Sequence, residues 1–165
     1  MNVRLFAQLL IGLVFVFDNS IATSQTVHNR TYYCDEDRGV PATFVQTSRV
    51  PLPIIRWVSV DLPIPPAQRC QIVSRNFQIA HDRGSLKYIK TGTMRQQPVV
   101  CTTNRKGGDC QDLLFTLKPG SNPNNILKKL FNRQGLGADN PLNQTGSDPI
   151  YLDVEDYLKR LNQQP

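Results

Sequence analysis

The residues of this chain that could do chemistry are its cysteines, two histidines and one short acidic run. The 165 residues include four cysteines, which are Cys34, Cys70, Cys101 and Cys110. Zinc sites usually place two cysteines about two to four residues apart, and no two cysteines here are that close. In an exported chain, an even number of cysteines is typical of disulfides. Of the three possible pairings we favour Cys34–Cys70 with Cys101–Cys110, because the second pair encloses a short glycine-containing loop.

The pattern around the histidines is not that of an enzyme. His81 and Asp82 are neighbours at the end of a predicted helix, where successive side chains point about 100° apart. The sequence contains no GxSxG turn, HExxH helix or glycine-rich phosphate loop. We therefore expect no catalytic residue, no cofactor and no metal ion. A cell-wall or carbohydrate hydrolase is a less favoured alternative, and it needs a carboxylate pair within about 5–10 Å. The pairs to consider are Asp61 with Asp82 and Asp109 with Asp112.

The acidic run Asp35-Glu36-Asp37 could begin a calcium-binding loop, since carboxylates near a glycine are typical Ca²⁺ ligands. Such a loop would end with a glutamate at position 46, which is Gln46 in this chain. We therefore expect the run to end the first strand as an exposed turn.

Charge is distributed unevenly along the chain. Residues 23–133 contain 16 basic and 7 acidic residues, whereas residues 134–165 contain 2 basic and 5 acidic residues. This contrast favours a domain that binds an anionic partner, with an acidic tail that could compete for the same site. Ordinary solubilising charge is the alternative. The candidate anion-binding residues are Arg56, Arg69, Arg75, Arg105 and Lys106.

Residues 1–22 are typical of a secretory signal peptide. Arg4 precedes an apolar run of 13 residues, Leu5–Phe17, and the run is followed by the small residues Ser20 and Ala22. At about 1.5 Å per residue such a run spans only ~20 Å of a ~30 Å bilayer core. We expect export to the periplasm, the thylakoid lumen or the exterior, with peripheral membrane attachment as one option. An uncleaved anchor is the alternative.

The apolar pattern that follows predicts the elements that position these residues. After a polar arm (23–30), strands are expected at 31–34, 42–47 and 54–59, and a helix from Pro66 towards Gly84. Further strands are expected at 86–90, 98–102 and 113–117, then a helix capped by Asn122. The predicted fold is α+β: a mainly antiparallel sheet of about six strands, helices on one face and two disulfides. The domain spans 31–133, and 134–165 form a linker and an amphipathic helix capped by Asp153.

Short stretches of the chain resemble the circadian oscillating protein domain family of cyanobacteria. The similarity runs from about Tyr32 to Leu130. It lies in the stretches Tyr32-Tyr33-Cys34, Val40-Pro41-Ala42-Thr43, Ile55-Arg56-Trp57-Val58-Ser59, Arg69-Cys70-Gln71-Ile72-Val73-Ser74, Leu86-Lys87-Tyr88, Pro98-Val99-Val100-Cys101 and Leu113-Leu114-Phe115-Thr116-Leu117-Lys118-Pro119. The resemblance implies an exported or membrane-associated protein without an assigned activity, and it carries over no catalytic residue.

The residues and the resemblance together favour an exported, non-enzymatic domain that binds an anionic polymer, an acidic protein or a membrane surface. Nucleic acid is an unsuitable partner for an exported protein. A structural or stress-related envelope protein without a specific ligand is the main alternative. Trp57, next to Arg56, could stack on a ligand ring, but we expect it in the core.

Overall fold

The structure of the protein is a computed structural model that describes residues 31–131 and 150–163. The predicted signal peptide (1–22), the polar arm (23–30) and most of the predicted linker lie outside the described residues. The elements that follow are those of the described ranges.

The first sheet is a three-stranded antiparallel meander of β1 (Tyr32–Asp37), β2 (Val40–Val45) and β3 (Leu52–Arg56). Arg38 and Gly39 both have positive φ, as the tight hairpin between β1 and β2 requires. The acidic run does not end the first strand. Its three residues continue β1 and pair with the start of β2, so that part of the prediction is wrong. The turn of this hairpin is formed by Arg38 and Gly39, directly after the acidic run.

Helix α1 (Pro66–Asp82) packs against β1 and β2. Proline is tolerated in the first turn because its missing N–H has no partner there. The predicted apolar face of α1 is buried, as Val73 and Phe77 are only 3% and 1% exposed. The predicted Cys34–Cys70 disulfide is confirmed and joins β1 to α1. It therefore fixes the first half of the helix to the sheet.

The second sheet has the order β6-β5-β4-β7 and is antiparallel throughout. Its strands are β4 (Tyr88–Met94), β5 (Gln97–Thr103), β6 (Leu113–Thr116) and β7 (Tyr151–Asp153). The predicted Cys101–Cys110 disulfide is also confirmed, and it closes the connection between β5 and β6. A side chain at Gly92 would place its Cβ 2.5 Å from the Cys110 sulfur, so the connection lies tightly against β4.

Helices α2 (Pro123–Phe131) and α3 (Val154–Gln163) complete the core. The predicted caps form, because Asn122 accepts the Asn125 N–H at 3.0 Å and Asp153 accepts the Asp156 N–H at 3.2 Å. The aromatic ring of Tyr157 on α3 packs edge-on against Phe131 of α2. Both sheets and all three helices contribute to one hydrophobic cluster. The predicted α+β class is confirmed, but the strands form two sheets rather than one, because β1–β3 pair only with one another and not with β4–β6. The seventh strand, β7, pairs with β4.

Candidate functional site: an apolar groove with a basic rim

A groove of about 1,250 Å³ opens between α1, β6 and α2. This is larger than the ~300–1,000 Å³ of typical small-molecule pockets. Its lining comes from elements that are distant in the sequence, because β3, α1, β6, α2 and α3 each supply side chains. The buried residues of the floor are Ile54, Trp57, Val73, Leu114, Leu117 and Tyr157.

Trp57 forms part of the floor and is held by a buried polar cluster. Its indole Nε1 donates to the Thr43 hydroxyl at 3.1 Å, and the Ser74 hydroxyl donates to the same oxygen at 2.9 Å. Its ring meets Phe115 edge-on at 6.1 Å. The indole is 6% exposed, so the expectation of a core tryptophan is confirmed. This core residue nevertheless contributes to the lining of the groove.

Tyr157 of α3 reaches the groove from the far end of the chain. Its hydroxyl donates to the Ile54 carbonyl at 3.5 Å, and burial raises the pKa of its phenol above the ordinary value. The sequence predicted the apolar face of this helix, but not its position beneath the groove. The helix pattern shows which face is buried and cannot show which cavity it lines.

The connection between β3 and α1 forms one edge of the groove. Val58, Val60, Leu62 and Ile64 are 63%, 74%, 39% and 43% exposed, and we call these four residues the apolar lip. The lip was missed as a functional feature, because the sequence predicted a strand as far as residue 59 and a helix from Pro66, whereas β3 ends at Arg56 and leaves Val58 in the connection. Prolines favour an extended backbone in the residues before them. An extended chain without sheet partners leaves such side chains partly in solvent.

Arg69 of α1 lies at the same edge. Its Nε donates to the Ile64 carbonyl at 3.0 Å, and its Nη2 donates to the Ser59 carbonyl. The guanidinium also lies 5.5 Å from the centre of the Trp57 ring. Burial lowers the pKa of Arg69 from its ordinary value. Its hydrogen-bond partners are carbonyls and no described carboxylate pairs with it, so its charge is not neutralised locally.

The five candidate anion-binding residues do not form one surface. Arg56 and Arg69 both line the groove, but Arg56 is ion-paired with Asp37 of β1. Arg75 is exposed on α1 and does not line the groove. Arg105 and Lys106 are exposed in the connection between β5 and β6, where the Lys106 ammonium lies 5.8 Å from the centre of the Tyr88 ring. Two further groove cations, Lys118 and Lys129, were missed.

Of the four acidic residues considered for chemistry, Asp61 alone lines the groove. Asp61 lines the groove beside the start of α1, whereas Asp82 is the last residue of that helix. A helix of 17 residues is about 25 Å long, and Asp82 at its end does not line the groove that contains Asp61. Asp112 accepts hydrogen bonds from Ser85 and Arg83. The Ser85 hydrogen bond and the charge of Arg83 hold the pKa of Asp112 below its ordinary value.

Within the described ranges, no three histidine, cysteine or acidic side chains are grouped as metal ligands. Asp37, from the acidic run, pairs with Arg56 instead. In the same ranges none of the helices has the length and apolar content needed to cross a bilayer. Two formed disulfides are typical of a compartment outside the cytoplasm.

Comparison with known protein families matches residues 31–159 to the family described as circadian oscillating protein COP23. The match extends beyond Leu130, where the resemblance noted in the sequence ended, and includes β7 and half of α3. A search of curated proteins and a search of solved structures each found no match.

Proposed function

The chain belongs to the family of the circadian oscillating protein COP23, and we propose that it is an exported, non-enzymatic domain that attaches to an anionic membrane surface. The observation that carries this proposal is the apolar lip beside a basic groove. Family membership supplies no activity, so the argument rests on the surface itself.

The lip supplies an apolar contribution. Water-soluble monomers rarely leave contiguous large aliphatic side chains exposed without an interaction that covers them. Complete burial of a valine, leucine or isoleucine side chain contributes about 1.5–3 kcal/mol. The lip side chains are 39–74% exposed, so each gains only part of that amount when it enters a bilayer interface. Several such side chains together still provide substantial attachment.

The groove cations supply an electrostatic contribution. Arg69, Lys118 and Lys129 line the groove against one acidic residue, Asp61. A lysine or arginine near an anionic leaflet contributes roughly 1 kcal/mol, and salt weakens this attraction over a screening length of about 10 Å. Asp61 lies within the lip sequence and opposes attachment. Binding should therefore require acidic lipid and decrease as salt rises.

Export is supported by the two disulfides, which persist in oxidising compartments. This location would bring the domain to the outer surface of a membrane. The predicted signal peptide, which lies outside the described residues, provides the route in this proposal.

The test is sedimentation of the chain from Thr23 onward with vesicles of phosphatidylcholine, with or without phosphatidylglycerol. We expect binding only to the anionic vesicles, with release at high salt. Val60→Ser should weaken binding about fivefold, which corresponds to roughly 1 kcal/mol of lost apolar contact. Val50→Ser is the matched control, because Val50 is also exposed (57%) but precedes the other end of β3. Equal binding to neutral vesicles, or equal effects of the two variants, would contradict the proposal.

A further inference from the structure

The groove has a volume of about 1,250 Å³ and a largely apolar floor, and we propose that it binds one long-chain fatty acid, with the chain on the apolar floor and the carboxylate at the basic edge. This goes beyond membrane attachment and does not depend on it. The shape of the floor, the hydrogen bonds of its polar groups and the charges of the rim each support it.

The floor suits an unbranched hydrocarbon chain. It is continuous from Val73 of α1 across Leu114 of β6 to Leu130 of α2, and these residues all line the same cavity. Its volume of about 1,250 Å³ exceeds what a small polar metabolite needs. An alkyl chain gains free energy from such a surface roughly in proportion to the apolar area removed from water.

The polar side chains in the floor are already hydrogen-bonded. The Asn76 amide donates to the Leu114 carbonyl at 2.8 Å, and the Tyr157 hydroxyl donates to the Ile54 carbonyl. Among the described residues, no buried side-chain nitrogen or oxygen lacks a partner. A ligand with polar groups along its length would find few partners here. A hydrocarbon chain requires none.

The excess positive charge of the groove rim favours a ligand with an acidic head group. The charges of Arg69, Lys118 and Lys129 exceed that of Asp61, and the fourth cation, Arg56, is matched by Asp37. A guanidinium has five donor hydrogens, so two carbonyl partners leave Arg69 with donors for a carboxylate. Partial burial of this side chain strengthens such a contact relative to one in open water.

Trp57 provides a direct readout, because it is the single tryptophan of the chain and lines the groove. Palmitic acid, hexadecanol and hexadecyltrimethylammonium share a chain length and differ in head charge. Below their micelle concentrations, we expect palmitic acid to give a saturable change in tryptophan fluorescence. Hexadecanol should bind about tenfold more weakly, which is the effect of losing a charge-assisted hydrogen bond. The ammonium compound should bind more weakly still.

Charge-reversal variants test where the carboxylate head group binds. Because Arg69 also holds the connection to β3, the main test is the double change Lys118→Glu and Lys129→Glu, at two exposed lysines. We expect it to weaken palmitic acid binding about tenfold or more. The matched control is Arg105→Glu with Lys106→Glu, which makes the same charge change outside the groove. Equal effects of the two double variants, or equal affinity for palmitic acid and hexadecanol, would overturn the inference.

The two proposals fail separately. Val60 is not part of the groove lining, so Val60→Ser should reduce vesicle binding and leave palmitic acid binding unchanged. Leu113, on the groove wall and 39% exposed, can be changed to Phe to narrow the cavity. Leu113→Phe should reduce palmitic acid binding and leave vesicle binding intact. The two proposals share the groove cations and differ in their apolar contacts, so a loss of both activities in either variant would contradict this assignment of the contacts.

Discussion

The two disulfides of this protein join very different amounts of structure. Cys34–Cys70 links residues 36 positions apart and attaches α1 to the first sheet, beside the groove. Cys101–Cys110 links residues 9 positions apart within one connection of the second sheet. That connection is also held by hydrogen bonds between Thr102 and the backbone of residues 111 and 112. The first bond therefore determines tertiary structure, whereas the second reinforces a local one.

The polar clusters near the two disulfides also differ, because one is neutral and buried and the other is charged and partly exposed. Near the first disulfide, Thr43, Ser74 and Trp57 form a neutral, buried cluster. Near the second disulfide, the Asp112 carboxylate accepts hydrogen bonds from the Ser85 hydroxyl and from the exposed Arg83 side chain. The Asp112 side chain itself is 15% exposed. A buried neutral cluster loses stability when one member is removed, while a charged cluster at the surface adds a dependence on pH.

The largest expected effect is the loss of the Cys34–Cys70 disulfide. In the chain-entropy account, a loop of this length contributes about 4 kcal/mol, so Cys34→Ala with Cys70→Ala should lower the unfolding free energy by about that amount. Cys70 follows Arg69 directly in the first half of α1. We therefore expect the change in tryptophan fluorescence on palmitic acid addition to weaken as well. Denaturant unfolding and the ligand titration measure the two effects.

The paired variant Cys101→Ala with Cys110→Ala is the comparison. Its shorter loop predicts a loss of about 2.5 kcal/mol. Ligand binding should remain unchanged, because the connection that this disulfide closes, residues 104–112, supplies no side chain to the groove, whereas α1 supplies Arg69 and Ile72 on either side of Cys70. If both double variants reduced ligand binding equally, the distinction between a tertiary and a local disulfide would be wrong.

An intermediate effect is expected for Thr43→Val. The substitution keeps the side-chain shape but leaves the Trp57 N–H and the Ser74 hydroxyl without their shared acceptor. An unsatisfied buried donor costs about 1–3 kcal/mol, so we expect a loss of about 2 kcal/mol in denaturant unfolding. Thr93→Val, at an exposed position of β4, is the control and should change stability little. A similar result for both would show that the buried cluster contributes nothing.

The smallest effect is expected for Asp112→Asn, and it depends on pH. The pKa of Asp112 is lowered in the folded protein, so near this pKa the native state binds fewer protons than the unfolded state. Its contribution is complete above an ordinary aspartate pKa of about 4 and is lost as the pH falls further. At pH 7 the variant should lose about 1 kcal/mol, because Asn keeps the shape and loses the charge.

Measurement of unfolding free energy between pH 7 and pH 2 checks this linkage. The decline below pH 4 should be shallower in Asp112→Asn than in the parent protein. Asp109→Asn removes an exposed carboxylate from the same connection and is the matched control for the loss of one negative charge. A steeper acid decline in Asp112→Asn would contradict the direction of the pKa shift.

Most of the local structure could be predicted from the sequence. The apolar spacing of α1, its first-turn proline and the caps Asn122 and Asp153 all describe contacts within a few residues, and each element formed as expected. The disulfide pairing was also predictable, because Cys34 and Cys70 lie on the inward faces of their elements. The error at β1 arose because the pairing of β2 extends a strand beyond its own apolar residues.

The candidate site was only partly predictable. Arg56 and Arg69 were selected from charge, yet charge along a sequence does not show that Asp37 neutralises Arg56. Lys118 follows β6 and Lys129 lies within α2, and both line the groove only because these two elements border the same cavity. A cavity is defined by the packing of elements, and no local pattern encodes it.

The sequence by itself determined the helices, their caps and the antiparallel character of the strands, because these depend on backbone preferences and the alternation of apolar residues. It favoured one of three cysteine pairings, and the folded structure decided it. Only the tertiary structure decided that the strands divide into two sheets, that β7 joins β4, and that Tyr157 lies beside Ile54 across 103 residues. These contacts depend on the shapes of packed surfaces rather than on neighbouring residues. The groove forms where those surfaces leave space, which is why it became visible only once the chain was folded.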